Sequence, residues 1–188
     1  MSGASSTRVV REAPGGPVVT GAAAGVVKKS AYIDGPYRYE LRRIWDDAKP
    51  RAVWIMLNPS TADAETDDAT IRRCSAFTRA WGLGGIVVVN LFAFRATDPL
   101  RLLTLQPIEA VGPQNNEWIR RAVRENPFVA VAWGARGGFW GRDQDVLGLL
   151  ADAKAKPQCL GVTRGGMPRH PLFVPGITAL SEFTGRSQ

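Results

Sequence analysis

The chain has 188 residues, 45% of them apolar, a formal charge of +7 and a pI near 10.0. That length supports one domain with a real core, and no apolar run approaches the ~20 residues of a membrane span. The first residues lack the continuous apolar core of a secretory signal, which predicts a cytoplasmic protein, and a single histidine excludes a multi-histidine metal site.

Residues 1–29 are rich in Gly, Ala, Ser and Val with no sustained period, and are expected to form a flexible tail before one domain over 30–188. Ala31–Ile33 and Tyr37–Leu41 flank Asp34-Gly35-Pro36, a hairpin signal. Alternation places Tyr37, Tyr39 and Leu41 on one side and Arg38, Glu40 and Arg42 on a solvated side, so the hairpin reads as an edge unit covering a sheet. Val53–Leu57 is a short buried strand. Asp67 or Asp68 can cap the next helix, in which Ile71, Cys74, Phe77 and Trp81 recur at helical spacing and Gly82 supplies the stop. Ile86–Val89 is a second strand, apolar throughout, as expected when both faces are covered.

From Thr97 to Pro113 the chain reads as irregular. Asn115 or Asn116 can cap a helix through Val123, with Trp118, Ile119 and Ala122 inward, and Asn126-Pro127 breaks it. Phe128–Trp133 is a third strand, and a glycine-rich loop, Gly134–Gly141, follows it. That loop lacks the spacing of a dinucleotide or phosphate-loop fingerprint. Asp143 to about Lys154 is a third helix, Cys159–Val162 a fourth strand, and Thr163–Pro175 a loop holding His170. From Gly176 a short capping tail is expected. The two cysteines, Cys74 and Cys159, fall in apolar faces with no metal-binding spacing and no expected disulfide. The predicted architecture is a three-layer α/β fold: a mostly parallel four-stranded sheet, flanking helices and an N-terminal hairpin.

Each predicted strand delivers an unusual group at its carboxyl end: Asn58-Pro59-Ser60, Asn90 with Arg95, Trp133-Gly134, and the loop with His170-Pro171. In open α/β sheets such ends converge on one ligand crevice. Asp63, Glu65, Asp67 and Asp68 crowd one loop, which capping and solvation explain better than a metal. No metal site and no cofactor is expected.

These motifs resemble the uracil-DNA glycosylase superfamily. Leu57-Asn58-Pro59-Ser60 is similar to the centre of its Gly-Ile-Asn-Pro-Gly water-positioning motif, Asn90 through Pro99 to its second-strand motif, Trp133-Gly134 to its third, and His170-Pro171-Leu172 to its His-Pro-Ser. The order agrees over about Val53 to Phe173. Leu57 and Ser60 replace the glycines, and the iron–sulfur cysteines of the thermophilic-type members are absent. A closer resemblance, carried by Met56 to Thr61, Asp68-Ala-Thr-Ile-Arg72, Asn90-Leu-Phe92 and His170-Pro171, is to an uncharacterised domain family of bacteria and phages.

What the resemblance implies is a DNA glycosylase-like hydrolase for a flipped, damaged or modified base, in base excision or in defence against modified phage DNA. Asn58 and His170 would be catalytic, with a carboxylate from Asp63, Asp67 or Asp68 assisting. Pro59, Ser60, Asn90, Phe92, Arg95, Gly134 and Leu172 would meet the substrate, Leu172 as the wedge filling the emptied stack. Arg164 and Arg169 would hold DNA phosphates, as the basic charge also suggests. DNA is the expected partner, with no membrane, and the protein is expected to be a monomer. Two rival readings stand beside this one: a non-catalytic nucleic-acid-binding module, and a hydrolase of free nucleosides or nucleotides.

Overall fold

The computed structural model describes residues 27–185. The predicted tail lies outside them except for its last residues, Lys28 and Lys29, which open the first strand. Seven strands form one sheet: β1 (Lys28–Asp34), β2 (Tyr37–Ile44), β3 (Arg51–Met56), β4 (Gly85–Asn90), β5 (Phe128–Val131), β6 (Gln158–Cys159) and β7 (Ser181–Glu182). Their spatial order is β1-β2-β4-β3-β5-β6-β7. The four predicted strands are the parallel centre, β4-β3-β5-β6. An antiparallel strand flanks each side, with β2 on β4 and β7 on β6. The segment read as a capping tail therefore holds a strand.

Strand β3 is the hub. Its neighbours β4 and β5 are reached through helices on opposite faces of the sheet. Helix α1 (Ala69–Ala80) packs Ile71, Cys74 and Phe77 onto one face with Trp54, Met56, Ile86 and Val88. Helices α3 (Asn115–Glu125) and α4 (Arg142–Asp152), with short helix α2 (Pro107–Val111) between β4 and α3, cover the other face, packing on Val53, Ile55, Val87 and Val89. Alternate residues of β3 and β4 thus feed two separate cores, which is why both strands read as continuously apolar. Both cysteines are buried and unpaired. Among the described residues no helix is long and apolar enough to cross a membrane.

The caps follow side-chain chemistry. Asp68 accepts from the amide of Ile71 (2.8 Å) and starts α1. Asn115 does not cap α3, which begins after Gln114. It is fully buried, and its amide donates to the carbonyls of Asn90 (3.0 Å) and Leu91 (2.9 Å). Trp118 is only half-buried and stacks on Tyr39 rather than facing the sheet centre. The stretch read as irregular holds a 3₁₀ turn over Pro99–Thr104, capped by Asp98, and then α2.

The hairpin departs from expectation in two ways. It does not cover the sheet; it extends it, and β1 takes the edge. The residues expected on a solvated face are buried: Arg38 is 3% exposed, Glu40 and Arg42 6% each. Glu40 and Arg42 are buried because their face packs against α3, and a bulge parts Arg38 from them. Tyr32 opposes Glu40 while Ile33 opposes Arg38, leaving Tyr39 as the extra residue. One extra residue reverses the alternation beyond it. Arg42 pairs with Glu40 (2.6 Å) and with Glu125 of α3 (3.1 Å) on one face. Arg38 goes to the α1 face, where its Nη1 donates to the carbonyl of Ala62 (2.5 Å).

Truncating Asn115 to Ala should strip the Asn90 carbonyl of its side-chain donor, leave Leu91 with Arg142 alone, and lower stability by roughly 1–3 kcal/mol. Urea unfolding checks this, with an unchanged slope and a lower midpoint expected.

Candidate functional site

The carboxyl ends of β3, β4 and β5 open onto one cleft of about 760 Å³, closed on its far side by the N-terminus of α1 and by the His170 loop. Backbone bonds join these tips. Pairing of β3 and β4 continues past both strands, Leu91 N to Met56 O (2.9 Å) and Phe92 N to Leu57 O (3.0 Å). The amide of Gly134 donates to Pro168 O (2.9 Å), which ties the β5 end to the segment before His170. Gly134 sits at φ +73°, a conformation glycine adopts without strain. At Gly137 a Cβ would come within 2.0 Å of the Trp133 indole, so only glycine lets that loop close over the ring.

Of the residues expected at the site, Asn58, Ser60, Asp68, Asn90, Gly134, Arg164, Arg169 and His170 line this cleft together. Pro59 is buried behind it, its carbonyl accepting from Ala96 N (2.9 Å). Asp63 is turned into its own loop, where Oδ1 accepts from Glu65 N and Thr66 N. Arg95 lines a neighbouring hollow of about 640 Å³ with Phe94, Asp98 and Arg101. Phe92 corrects the expectation of a substrate contact: it is fully buried, edge-on to Trp140 at 5.7 Å, and belongs to the core. Leu172 is exposed beside the cleft, and its neighbour Phe173 takes the lining position.

The lining groups divide into those engaged by the protein and those that are not. Asn58 donates its amide to Pro59 O (3.0 Å) and Ala96 O (2.7 Å), clamping the β3 loop to the segment after β4. Both partners are acceptors, which fixes the amide orientation and leaves Oδ1 as its remaining capacity. Asn90 is different. It is 1% exposed, and neither its Oδ1 nor its Nδ2 has a partner among the described residues. Its backbone, by contrast, is held: Asn115 binds the Asn90 and Leu91 carbonyls, and buried Arg142 donates Nε to Leu91 O (2.9 Å). Arg142 also reaches Asn116 Oδ1 (2.6 Å).

His170 Nδ1 accepts from Leu172 N (3.3 Å), so Nε2 carries the proton in the neutral ring. Burial pushes the His170 pKa below its usual value, with Asp68 opposing that shift. The imidazole is therefore a neutral donor at pH 7. Its loop is strapped by Arg73 of α1, which donates to Pro171 O (3.3 Å) and Val174 O (2.6 Å). Asp68 has Oδ1 on the Ile71 amide and keeps a second oxygen. It is the one carboxylate lining the cleft among the described residues. Among those residues no three His, Cys, Asp or Glu side chains form a metal-binding group.

Arg38, Asn115, Arg73 and Arg142 were not assigned to the site from sequence. For Arg38 the only signal was a basic hairpin face; Asn115 read as a helix cap, and Arg73 and Arg142 carried none, because arginine on a helix normally reads as solvated.

The family described as protein of unknown function (DUF1643) matches residues 38–172, and the chain belongs to it. The match runs from Arg38 to Leu172 and so encloses every strand end that builds the cleft. No curated protein matches the chain. No solved structure matches it. The comparisons thus link it to this family and to no glycosylase.

A histidine kept neutral by burial stabilises the fold above its unfolded pKa, and that contribution is lost as pH falls, because the unfolded chain takes up the proton first. Melting temperature should therefore drop between about pH 7 and 5. His170→Gln should flatten that drop, leaving the carboxylate-driven loss at lower pH, when both proteins are followed by circular dichroism.

Proposed function

We propose that the cleft binds a nucleobase and hydrolyses its N-glycosidic bond, as a DNA glycosylase-like enzyme acting on a flipped damaged or modified base. The observation that carries this reading is Asn90: a buried amide with both ends unpartnered, on a rigidly held backbone, lining a cleft roomy enough for a nucleotide. An amide offers one acceptor and two donors side by side, the complement of a base edge. Leaving such atoms unmatched costs about 1–3 kcal/mol each, and a ligand edge would satisfy both.

In the proposed reaction, a water oxygen bonds to the anomeric carbon as the carbon–nitrogen bond breaks. The bonding electron pair leaves with the base, and positive charge builds on the sugar. The free oxygen of Asp68 takes the water's proton and faces the developing cation. Asn58 Oδ1 and Ser60 orient the water. The Nε2–H of neutral His170 donates to the base oxygen on which negative charge collects. Arg164 and Arg169 on the rim meet phosphates of a strand from which the base has been swung out.

A second reading, a nucleic-acid-binding module without catalysis, is favoured by one observation. The only lining carboxylate among the described residues already serves as the α1 cap. Salt-sensitive duplex binding without base release would select it.

The test is a panel of oligonucleotides carrying uracil, mismatched thymine or modified cytosines, followed by alkali to cut abasic sites. Cleavage of at least one substrate is expected. Asn90→Ala and Asp68→Asn should each slow it by roughly 10²-fold, the usual effect of removing one positioned polar group. Absence of base release across the panel, from duplex and single strand, overturns the catalytic reading.

A further inference from the structure

Four arginines are buried among the described residues: Arg38, Arg42, Arg43 and Arg142. Three have a carboxylate within 4 Å. Arg42 is on Glu40 (2.6 Å), Arg43 on Asp67 (2.6 Å) and Arg142 near Asp145 (3.7 Å). Arg38 has none among the described residues. Its Nη1 has the Ala62 carbonyl, and its Nε is buried without a partner. Arg38 lines the same cleft as Asn90.

A guanidinium keeps its charge in a protein, and burying that charge unpaired costs several kcal/mol. The surroundings do not relieve it. Burial pushes the Arg38 pKa down to about 10; Asp68 and Asp63 oppose the shift, while Arg95 and Arg43 add to it. Asp68 is engaged on the Ile71 amide, and Asp63 on Glu65 and Thr66. Arg43 is matched by Asp67, whereas the Nε of Arg95 is also buried without a partner among the described residues. The backbone bonds on Asp68 and Asp63 leave both carboxylates charged, but neither lies within 4 Å of the guanidinium, so Arg38 has no direct counter-ion among the described residues. The bulge at Tyr39 puts the guanidinium in the cleft, since uninterrupted alternation would have sent Arg38 to the α3 face with Arg42.

We propose that Arg38 is an oxyanion subsite of the cleft, so that the ligand whose ring edge pairs with Asn90 also carries a compact anionic group, a phosphate or a carboxylate, seated on this guanidinium. The fork of N–H donors suits either group, because both present oxygens in the spacing a guanidinium grips. The proposal rests on the nucleobase reading for the ring and on Arg38 itself for the charge. The phosphate would come from the nucleotide's own 5′ position, the carboxylate from an oxidised substituent on the base.

The experiment is calorimetric titration of the full chain with two matched sets. One pairs the four common ribonucleosides with their 5′-monophosphates; the other pairs uracil and cytosine with their 5-carboxylated forms. In at least one set the anionic member should bind tenfold or more tightly than its neutral counterpart. Preference for the monophosphates identifies the phosphate as the source, and preference for the carboxylated bases identifies the carboxylate. Arg38→Gln should collapse that ratio to near one. Arg38→Lys, which keeps the charge and loses the fork, should reduce it about threefold and serves if the Gln variant does not fold. A ratio near one in the parent protein, or one that survives both substitutions, overturns the subsite. Base release is scored separately on the oligonucleotide panel, since the free bases hold no glycosidic bond. Charge preference without hydrolysis leaves the subsite standing and removes the glycosidase reading; hydrolysis without charge preference does the reverse.

Discussion

The cleft depends on how the end of β4 is held. At Asn90 and Leu91 strand β4 runs out, and two carbonyls there take side-chain donors. Asn115 and Arg142, reaching in from two helices, supply those donors. Both are buried, and both bind main chain, so they fix position without competing for a ligand. The consequence is a side chain at Asn90 whose base is rigid and whose amide is free. In an apolar surrounding that combination is costly to keep for packing alone, which is why it carries more functional weight than any other feature of the cleft.

The electrostatics of the cleft follow the same division. Arg42 and Arg43 are neutralised by carboxylates of the fold, and Asp63 is absorbed by its own turn. What faces the cavity is a neutral imidazole, one carboxylate at a helix start, the guanidinium of Arg38 without an ion pair, and the rim arginines Arg136, Arg164 and Arg169. Such a set favours a polar, partly anionic ligand over an apolar one. It suits charge placement, with His170 held as a donor. Chemistry here would depend on orienting water and on accepting charge from a leaving group.

Much of this was legible in the sequence. The β3, β4 and β5 strands appear as apolar runs, and the convergence of Asn58, Asn90, Gly134 and His170 follows from one topological rule about where parallel strands end. The Asp68 cap is written in residue type. What could not be read was anything that depends on register. The Tyr-Arg-Tyr-Glu-Leu run alternates cleanly, and nothing in it marks the extra residue that turns Arg38 inward. The β6 and β7 strands are two residues each, too short for a period, so β7 passed for a tail. Phe92 could not be assigned by pattern either, since an aromatic beside a functional asparagine looks the same whether it faces a ligand or the core. Arg73 and Arg142 escaped for a related reason: helical arginines are usually solvated, and burial by main-chain carbonyls leaves no mark in composition.

Helix α1 carries the acid at its first turn and, five residues on, the arginine that straps the imidazole loop. Carboxylate and imidazole are thereby mounted on one rod packed by Ile71, Cys74 and Phe77. The imidazole loop is tied to the sheet as well, through the Gly134 amide on Pro168 O, so α1 sets the spacing of carboxylate and imidazole while the sheet fixes that pair against Asn90.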